Sequence, residues 1–231
     1  MPETIGFVPW GPDHMAVLAL LAVSAAALLW IGGHVSPSAD RGLRRGVAAV
    51  LVSNEAIAYV AALAHGVVRV PLQLCDLAFF VTVWAMVSAK PFVAEVAYFW
   101  GLAGSLQAVL TPDVQGAFPD YWWMKFFVSH CGVVLSAVYL AASGRIRPTH
   151  RSVWKLFALT NGYAVIAGMI NGLFGTNYGY LARKPMQPSL LDVFGPWPYY
   201  ILGMELMALL SFYLYYAPFV FARRVQRRQT T

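Results

Sequence analysis

Seven apolar stretches, each close to the length that a helix needs to cross a lipid bilayer, fill most of this 231-residue chain. A membrane-spanning helix requires roughly 20 mainly apolar residues. Backbone groups in lipid must pair with one another, and these stretches are too long to be barrel strands. The sequence therefore predicts an all-α protein with seven transmembrane helices, at residues 15–35, 45–68, 72–89, 92–110, 122–143, 152–175 and 198–222.

The composition agrees with this class. Hydrophobic residues make up 59% of the chain and charged residues 11%, whereas soluble domains carry about 25% charged residues. No stretch between the spans is long enough for a separate core, so we expect a single membrane domain over residues 1–231. The formal net charge of +6 lies at span ends rather than on a folded basic module. The partners we expect are membrane lipids and not nucleic acids.

The distribution of lysine and arginine predicts the orientation. Cytoplasmic loops of membrane proteins carry the excess of these residues. The counts are twelve at one set of span ends (Arg41, Arg44, Arg45, Lys90, Arg145, Arg147, Arg151, Lys155, Arg223, Arg224, Arg227 and Arg228) and four at the other (Arg69, Lys125, Arg183 and Lys184). The N-terminus is therefore predicted to lie outside and the C-terminus in the cytoplasm.

Small residues recur at a spacing of four in several spans, a pattern that lets helices approach closely in lipid. The series are Ala58, Ala62 and Gly66; Ala97, Gly101 and Ser105; and Ala164, Gly168 and Gly172. We expect these stripes to be helix-packing faces.

With this orientation, the polar side chains inside the spans share a depth. A rise of about 1.5 Å per residue puts them in the outer third to half of the membrane. The residues are His65, Cys75, Asp76, Gln107, His130, Asn171, Asn177, Tyr178 and Glu205. Because polar groups in lipid are costly and are often functional, the sequence predicts a site facing the outer leaflet.

The chain has two cysteines, Cys75 and Cys131, neither in a CxxC pair. A zinc site is therefore not expected, and nothing in the pattern indicates another metal or a cofactor. A cysteine in a span is commonly a small buried hydrophobe, and that interpretation applies to both. A disulfide between them near the outer face is a further alternative.

His130 has two interpretations. It can make an interhelical hydrogen bond, or it can act as general base to a thiol, because the thiolate is the reactive form of cysteine. The shared depth allows Cys75 and His130 to meet.

Two glutamates lie inside the predicted spans. Glu55 can pair with a cation, carry protons, or stay protonated and hydrogen-bonded, and we favour the last. Glu205 belongs to the outer polar group.

Four segments carry a resemblance to a known family: VPLQLCDLAFF (70–80), FWGLAGSLQAVLTPD (99–113), FFVSHCGVVL (126–135) and GTNYGYLARKPMQPSLLDVFGPWPYYILGMEL (175–206). They resemble the YwaF-like integral membrane family, which is related to eukaryotic transmembrane protein 164. The similarity covers nearly the whole chain, and the last segment is the most specific.

The resemblance implies an acyltransferase acting on ether phospholipids, in which Cys75 matches the nucleophile and His130 its histidine. It also implies a bacterial plasma membrane location. More distantly, the chain is similar to membrane hydrolases of the androgen-induced type, which use threonine with histidine. At Gln73 the sequence departs from the family, which often has histidine there.

Two functions follow as hypotheses. The first is an acyltransferase or acyl hydrolase that forms a thioester on Cys75. Its oxyanion or substrate contacts would come from a set of polar residues: Gln73, Gln107, Asn171, Asn177, Tyr178 and Glu205. The second is a non-catalytic lipid-binding protein or a small-solute carrier, in which Glu55 and Glu205 would couple ions or protons. The sequence indicates no particular oligomeric state.

Overall fold

The computed structural model of the protein describes residues 6–114, 116–186 and 189–229, and these residues form helices and connecting segments without a strand. The helices are α1 (Pro12–Ile31), α2 (Pro37–Ala64), α3 (Leu74–Ser88), α4 (Pro91–Leu110), α5 (Tyr121–Ala142), α6 (His150–Phe174) and α7 (Tyr199–Gln229). The predicted all-α membrane class is confirmed.

Six of the helices are long and apolar enough to cross a membrane, and α3, with 15 residues, is a shorter apolar helix. A helix of that length spans roughly 22 Å, less than the roughly 30 Å of a hydrocarbon core. The number of crossings and the orientation of the termini therefore stay predictions.

Helix α2 begins eight residues before the predicted residue 45. The Ser36 hydroxyl accepts the Ala39 N–H, and Pro37 occupies the first helical position, where its missing N–H does no harm. At the other end the helix stops at Ala64, and Gly66 has a φ of +71°. Apolar runs mark the part of a helix in lipid, whereas caps set where the helix itself ends.

Two further differences concern α4 and α7. A π-helical turn, Gly101–Leu106, lies within α4, and hydropathy does not reveal such a turn. Helix α7 continues to Gln229, past the predicted residue 222, because the basic residues at its end can remain helical outside the lipid.

The chain divides into two compact units: Met1–Pro71 with Cys75–Ile146, and Leu72–Leu74 with Arg147–Thr231. The single domain over residues 1–231 stays a prediction.

Helix α5 lies at the centre of the first unit, and α2 packs antiparallel along it. As α2 advances from Asp40 through Asn54, its partners on α5 run back from Tyr139 to Ser129. Between these contacts, a Cβ atom on Gly132 would lie 2.7 Å from Cδ2 of Leu51. Glycine at this position therefore allows the close approach of the two helices.

Helix α3 runs antiparallel to α2 and therefore parallel to α5. Arg44, near the start of α2, donates to the Met86 carbonyl near the end of α3. About two turns further along α2, Leu51 forms a buried cluster with Phe79 of α3 and Val133 of α5. These contacts fix the register of the three helices.

The small-residue stripes have different outcomes. Ala97, Gly101 and Ser105 are all buried, and a Cβ on Gly101 would lie 3.1 Å from Cγ1 of Val133 on α5. The packing prediction for this series is confirmed. On α6 it is wrong.

Gly168 and Gly172 have open space where a Cβ would stand, and α6 buries Ala167 and Asn171 instead. The buried side of α6 is set by the polar contacts of Asn171, which the spacing of small residues does not indicate.

The second unit contains α6 and α7. A capping box of Thr149 and Ser152 starts α6, and Gly175 with a φ of +65° ends it. The segment between the helices contains two 3-10 turns, Tyr178–Tyr180 and Leu190–Phe194. The Phe194 ring packs where Gly203 of α7 leaves room: a Cβ there would lie 2.3 Å from the ring.

Candidate functional site

Cys75 is the second residue of α3, half-buried and a free thiol. The backbone N–H of Asp76 belongs to the first turn of α3, next to the sulfur. The first N–H groups of a helix have no partner within the helix, and they favour negative charge beside them. The start of α3 therefore brings backbone N–H groups close to the Cys75 sulfur.

His130 lies in the third turn of α5 and is held by its neighbour one turn earlier. Its ring stacks on Phe126 with centroids 4.1 Å apart, and Nδ1 lies 2.9 Å from the Phe126 carbonyl oxygen. A carbonyl only accepts hydrogen bonds, so Nδ1 carries the proton and donates it. The neutral ring therefore has its lone pair on Nε2, the nitrogen that a general base uses.

Cys75 and His130 each lie near a residue of one buried cluster. Phe79 of α3 and Val133 of α5 belong to one buried cluster, and the two helices are parallel. Cys75 precedes Phe79 by four residues and His130 precedes Val133 by three, so each lies about one turn before its own cluster residue, on the same face of its helix.

An ion pair and an amide join α2 to the turn of α5 before His130. Nζ of Lys125 lies 2.8 Å from a carboxylate oxygen of Glu55. Nδ2 of Asn54 donates to the Ser129 hydroxyl (2.9 Å) and to the Lys125 carbonyl (3.3 Å). This contact corresponds to the alternative in which Glu55 pairs with a cation, and the lysine that pairs with it comes from a different helix.

Lys125 and Asn54 were not among the predicted site residues. Lys125 entered the sequence argument only as a charge at a span end. The predicted spans put Lys125 at a span end and Glu55 near mid-span, so the sequence carried no signal for their pairing.

Gln107 belongs to the same unit as Cys75 and His130. It directly follows the π-helical turn of α4, is half-buried, and donates from Nε2 to the Thr111 hydroxyl at 2.9 Å.

Gln73, Asn171, Asn177 and Tyr178 belong to the second unit. The amides of Gln73, Asn171 and Asn177 bind backbone groups of the segment after α6. The N–H and C=O of Tyr178 are among the groups bound, both by Asn171.

Comparison with known proteins identifies the family. A model of the TMEM164 family matches residues 9–216. The chain belongs to the TMEM164 family. This confirms the predicted relation to transmembrane protein 164, and the YwaF-like grouping stays a prediction. Neither curated proteins nor solved structures give a significant match.

Glu205 and Cys131 are the remaining residues of this TMEM164-family chain for which the sequence led to an expectation. Glu205 accepts a hydrogen bond from Nδ2 of Asn161 at 2.9 Å, which links α7 to α6. Cys131 is a free thiol, as is Cys75, so the disulfide alternative does not apply.

A second charged cluster of the first unit lies at the opposite ends of the same helices. Asp40 accepts from Arg44, from Arg145 and from the Tyr139 hydroxyl (2.9 Å). Asp40 and Arg44 are each only 4% exposed. Protein side chains bind the carboxylate from several sides. We therefore interpret this cluster as a structural contact that holds α2 against α5.

Proposed function

We propose that this TMEM164-family protein is a membrane-embedded acyltransferase or acyl hydrolase that uses Cys75 as nucleophile and His130 as general base. The observation that supports it most is the hydrogen bond of one imidazole nitrogen of His130. Nδ1 is bound to a carbonyl, which leaves Nε2 to take a proton.

In the first step, Nε2 of His130 removes the thiol proton and the sulfur attacks the carbonyl carbon of an acyl ester. A C–S bond forms, and the carbonyl electrons move to oxygen. The oxyanion then collapses, the ester C–O bond breaks, and the leaving alkoxide takes the proton from the imidazolium. The products are a lysolipid and a thioester on Cys75.

In the second step, a hydroxyl of a lysolipid or of water gives its proton to Nε2 and attacks the thioester carbonyl. The C–S bond breaks, and the departing thiolate regains a proton from His130. Acyl transfer and hydrolysis differ only in the acceptor, so the same two residues serve both.

The developing oxyanion requires donors close to the sulfur. The N–H of Asp76 lies in the first turn of α3 next to Cys75, and we propose it as the first donor. Gln107 is the side-chain candidate from the same unit. For Asn171, Asn177, Gln73, Tyr178 and Glu205, a role in binding substrate stays a proposal that requires them to exchange present partners.

The test is acyl release from a phospholipid by purified protein in liposomes. We expect Cys75→Ala to remove turnover, while Cys131→Ala, the other free thiol of the unit, leaves it close to that of the unaltered protein. Replacing the base by His130→Gln should lower turnover by roughly 10²–10⁴-fold. Full turnover in Cys75→Ala would remove the nucleophile from the scheme.

Supplying a lysolipid acceptor separates the two reactions. Labelled acyl chain appears on the acceptor if the protein is a transferase and as free acid if it is a hydrolase. The proposed location of the site is the outer leaflet, which assays with donor lipid confined to one leaflet can examine. Lipid retention without acyl release, unchanged by substitution of either residue, would favour the non-catalytic alternative.

A further inference from the structure

The segment between α6 and α7 joins the adjacent ends of two helices that are each long and apolar enough to span a membrane. It therefore lies at the level of one bilayer surface. Apart from its two 3-10 turns it is irregular. Such a segment in water can leave its backbone to the solvent, whereas in lipid every polar backbone group requires a partner from the protein.

Asn177 supplies three such partners. Its Oδ1 accepts from the N–H groups of Ala182 (3.1 Å) and Arg183 (3.0 Å), and its Nδ2 donates to the Arg183 carbonyl (2.9 Å). The Asn177 side chain thus supplies hydrogen-bond partners to backbone groups of a loop that has no regular secondary structure there.

Two more amides act in the same way. Asn171, at the end of α6, accepts from the N–H of Tyr178 (2.7 Å) and donates to its carbonyl (2.9 Å). Gln73, on the short stretch that belongs to this unit, accepts from the N–H of Gly179 (2.8 Å).

Side chains at the C-terminal end of the segment bind the carbonyls of Tyr180 and Leu181. The Tyr200 hydroxyl donates to the Tyr180 carbonyl (2.6 Å), and the Trp197 indole N–H donates to the Leu181 carbonyl (3.1 Å). Side chains therefore bind the backbone from residue 178 to residue 183 almost continuously, as a water-free environment demands.

Several large outward side chains are apolar, and the charged Arg183 and Asp192 are exposed beside them. Met186 is 90% exposed and Val193 is 80% exposed. Leu190 is exposed as well and lies three residues before Val193 on a 3-10 helix, so the two share a face. Phe194 turns the other way, into the space at Gly203. The short helix is thus fixed to α7 on one side and presents an apolar surface on the other.

We infer that the α6–α7 segment is inserted into the bilayer at the boundary of headgroups and acyl chains, without crossing it. Met186, Leu190 and Val193 contact lipid chains. Trp197 has its ring exposed and its N–H bound, an arrangement typical of the interface. The exposed Arg183 reaches the phosphates from this depth. The inference is independent of the proposed acyl chemistry.

The experiment places a fluorescent probe on the outward face in full-length protein in liposomes. Val193→Cys and Met186→Cys, in a Cys75→Ser and Cys131→Ser background, are labelled with an environment-sensitive dye. Quenching by lipids with a nitroxide on the acyl chain is compared with quenching by aqueous iodide. Ser38→Cys, at an exposed polar position at the start of α2, is the water-exposed control.

We expect lipid nitroxide to quench the probes at 186 and 193 several-fold more than the control, and iodide to quench them several-fold less. Iodide quenching equal to that of Ser38→Cys would overturn the inference, since the segment would then lie in water. Protection from both quenchers, together with cross-linking between copies through position 193, would overturn it in favour of a second copy of the chain.

Asn177 gives a second measurement. Asn177→Ala leaves two N–H groups and a carbonyl unpaired, so iodide access at position 193 should rise several-fold. Asn177→Asp keeps the acceptor for both N–H groups and should show a smaller rise. Equal iodide access in the unaltered protein and Asn177→Ala would contradict the role given to this amide.

Discussion

At the scale of single residues, His130 and Asp40 illustrate two uses of polarity in a membrane helix. His130 has Nδ1 bound to the carbonyl of its own helix, and Nε2 has no hydrogen-bond partner among the residues that the structure describes. Asp40 has both oxygens occupied by arginine and tyrosine donors. A partly satisfied group can react, whereas a fully satisfied one holds its surroundings together.

The role of Asp40 leads to a stability prediction. Asp40→Ala leaves the buried Arg44 without its counter-ion, which costs about 3–5 kcal/mol in the free energy of unfolding. Thermal unfolding in detergent micelles measures the change. Arg41→Ala, on the exposed face of the same turn, is the control and should unfold like the unaltered protein. Equal unfolding temperatures for Asp40→Ala and Arg41→Ala would contradict the assignment.

The sequence could predict the depth of Cys75 and His130, since both follow from span position. It could not predict which nitrogen of His130 is protonated, because that depends on the Phe126 carbonyl. Nor could it predict the partner of Glu55. An ion pair between Glu55 and Lys125 requires the register of two helices that are 70 residues apart along the chain.

At the scale of secondary-structure elements, α2 positions the part of α5 that carries His130. Asn54 and Glu55 bind Ser129 and Lys125, and the carbonyl of Phe126, which orients the imidazole, lies within that turn. These contacts fix the turn relative to α2 and so restrict where Nε2 can point.

We therefore expect Asn54→Leu to lower the turnover of the proposed reaction by up to roughly 10²-fold, the cost of a small misplacement of a reacting group. The KM for lipid should change little, because Asn54 does not contact substrate in the scheme. Steady-state kinetics on liposomes provide both quantities. Ser53→Leu, which places the same side chain at an exposed neighbour, should behave as the unaltered protein. A fall in turnover in both variants would show a general packing effect instead.

The segment between α6 and α7 supplies a pH prediction. The N–H of Ser189 donates to the Asp192 carboxylate, and Lys184 lies beside it, so the pKa of Asp192 is lowered below its ordinary value of 3.8. A group with a lowered folded-state pKa stabilises the fold above its unfolded pKa and loses that contribution as pH falls through the folded value.

The order of this segment should accordingly persist at pH 5 and decline below about pH 3.8, the ordinary pKa of Asp192. Iodide access to a dye at position 193 reports the change. Asp192→Asn removes the titrating group, so its iodide access should be the same at pH 5 and at pH 3. A pH response of equal size in Asp192→Asn would assign the transition to another group.

The helices themselves were predictable because hydropathy reports burial in lipid directly, and all seven apolar stretches form helices. Their ends were less predictable. Ser36 and Pro37 start α2 outside the lipid, where hydropathy carries no information. The π-helical turn Gly101–Leu106 is invisible to it as well, since an extra residue in one turn leaves the composition unchanged.

At the scale of the whole molecule, membership of the TMEM164 family and the all-α membrane class agree with the expectation from sequence. The division into two compact units was not expected from hydropathy. Apolar spans have similar compositions whether they pack around α5 or pair as α6 and α7 do. Composition therefore does not indicate which helices pack against one another.

The central claim is that Cys75 forms a thioester during turnover. The direct measurement is the mass of proteolytic fragments after acid quench of the protein with a phospholipid acyl donor. We expect an added acyl mass on the fragment containing Cys75, sensitive to hydroxylamine, absent in Cys75→Ala and greatly reduced in His130→Gln. Turnover without any such adduct, or an adduct on Cys131 alone, would contradict it.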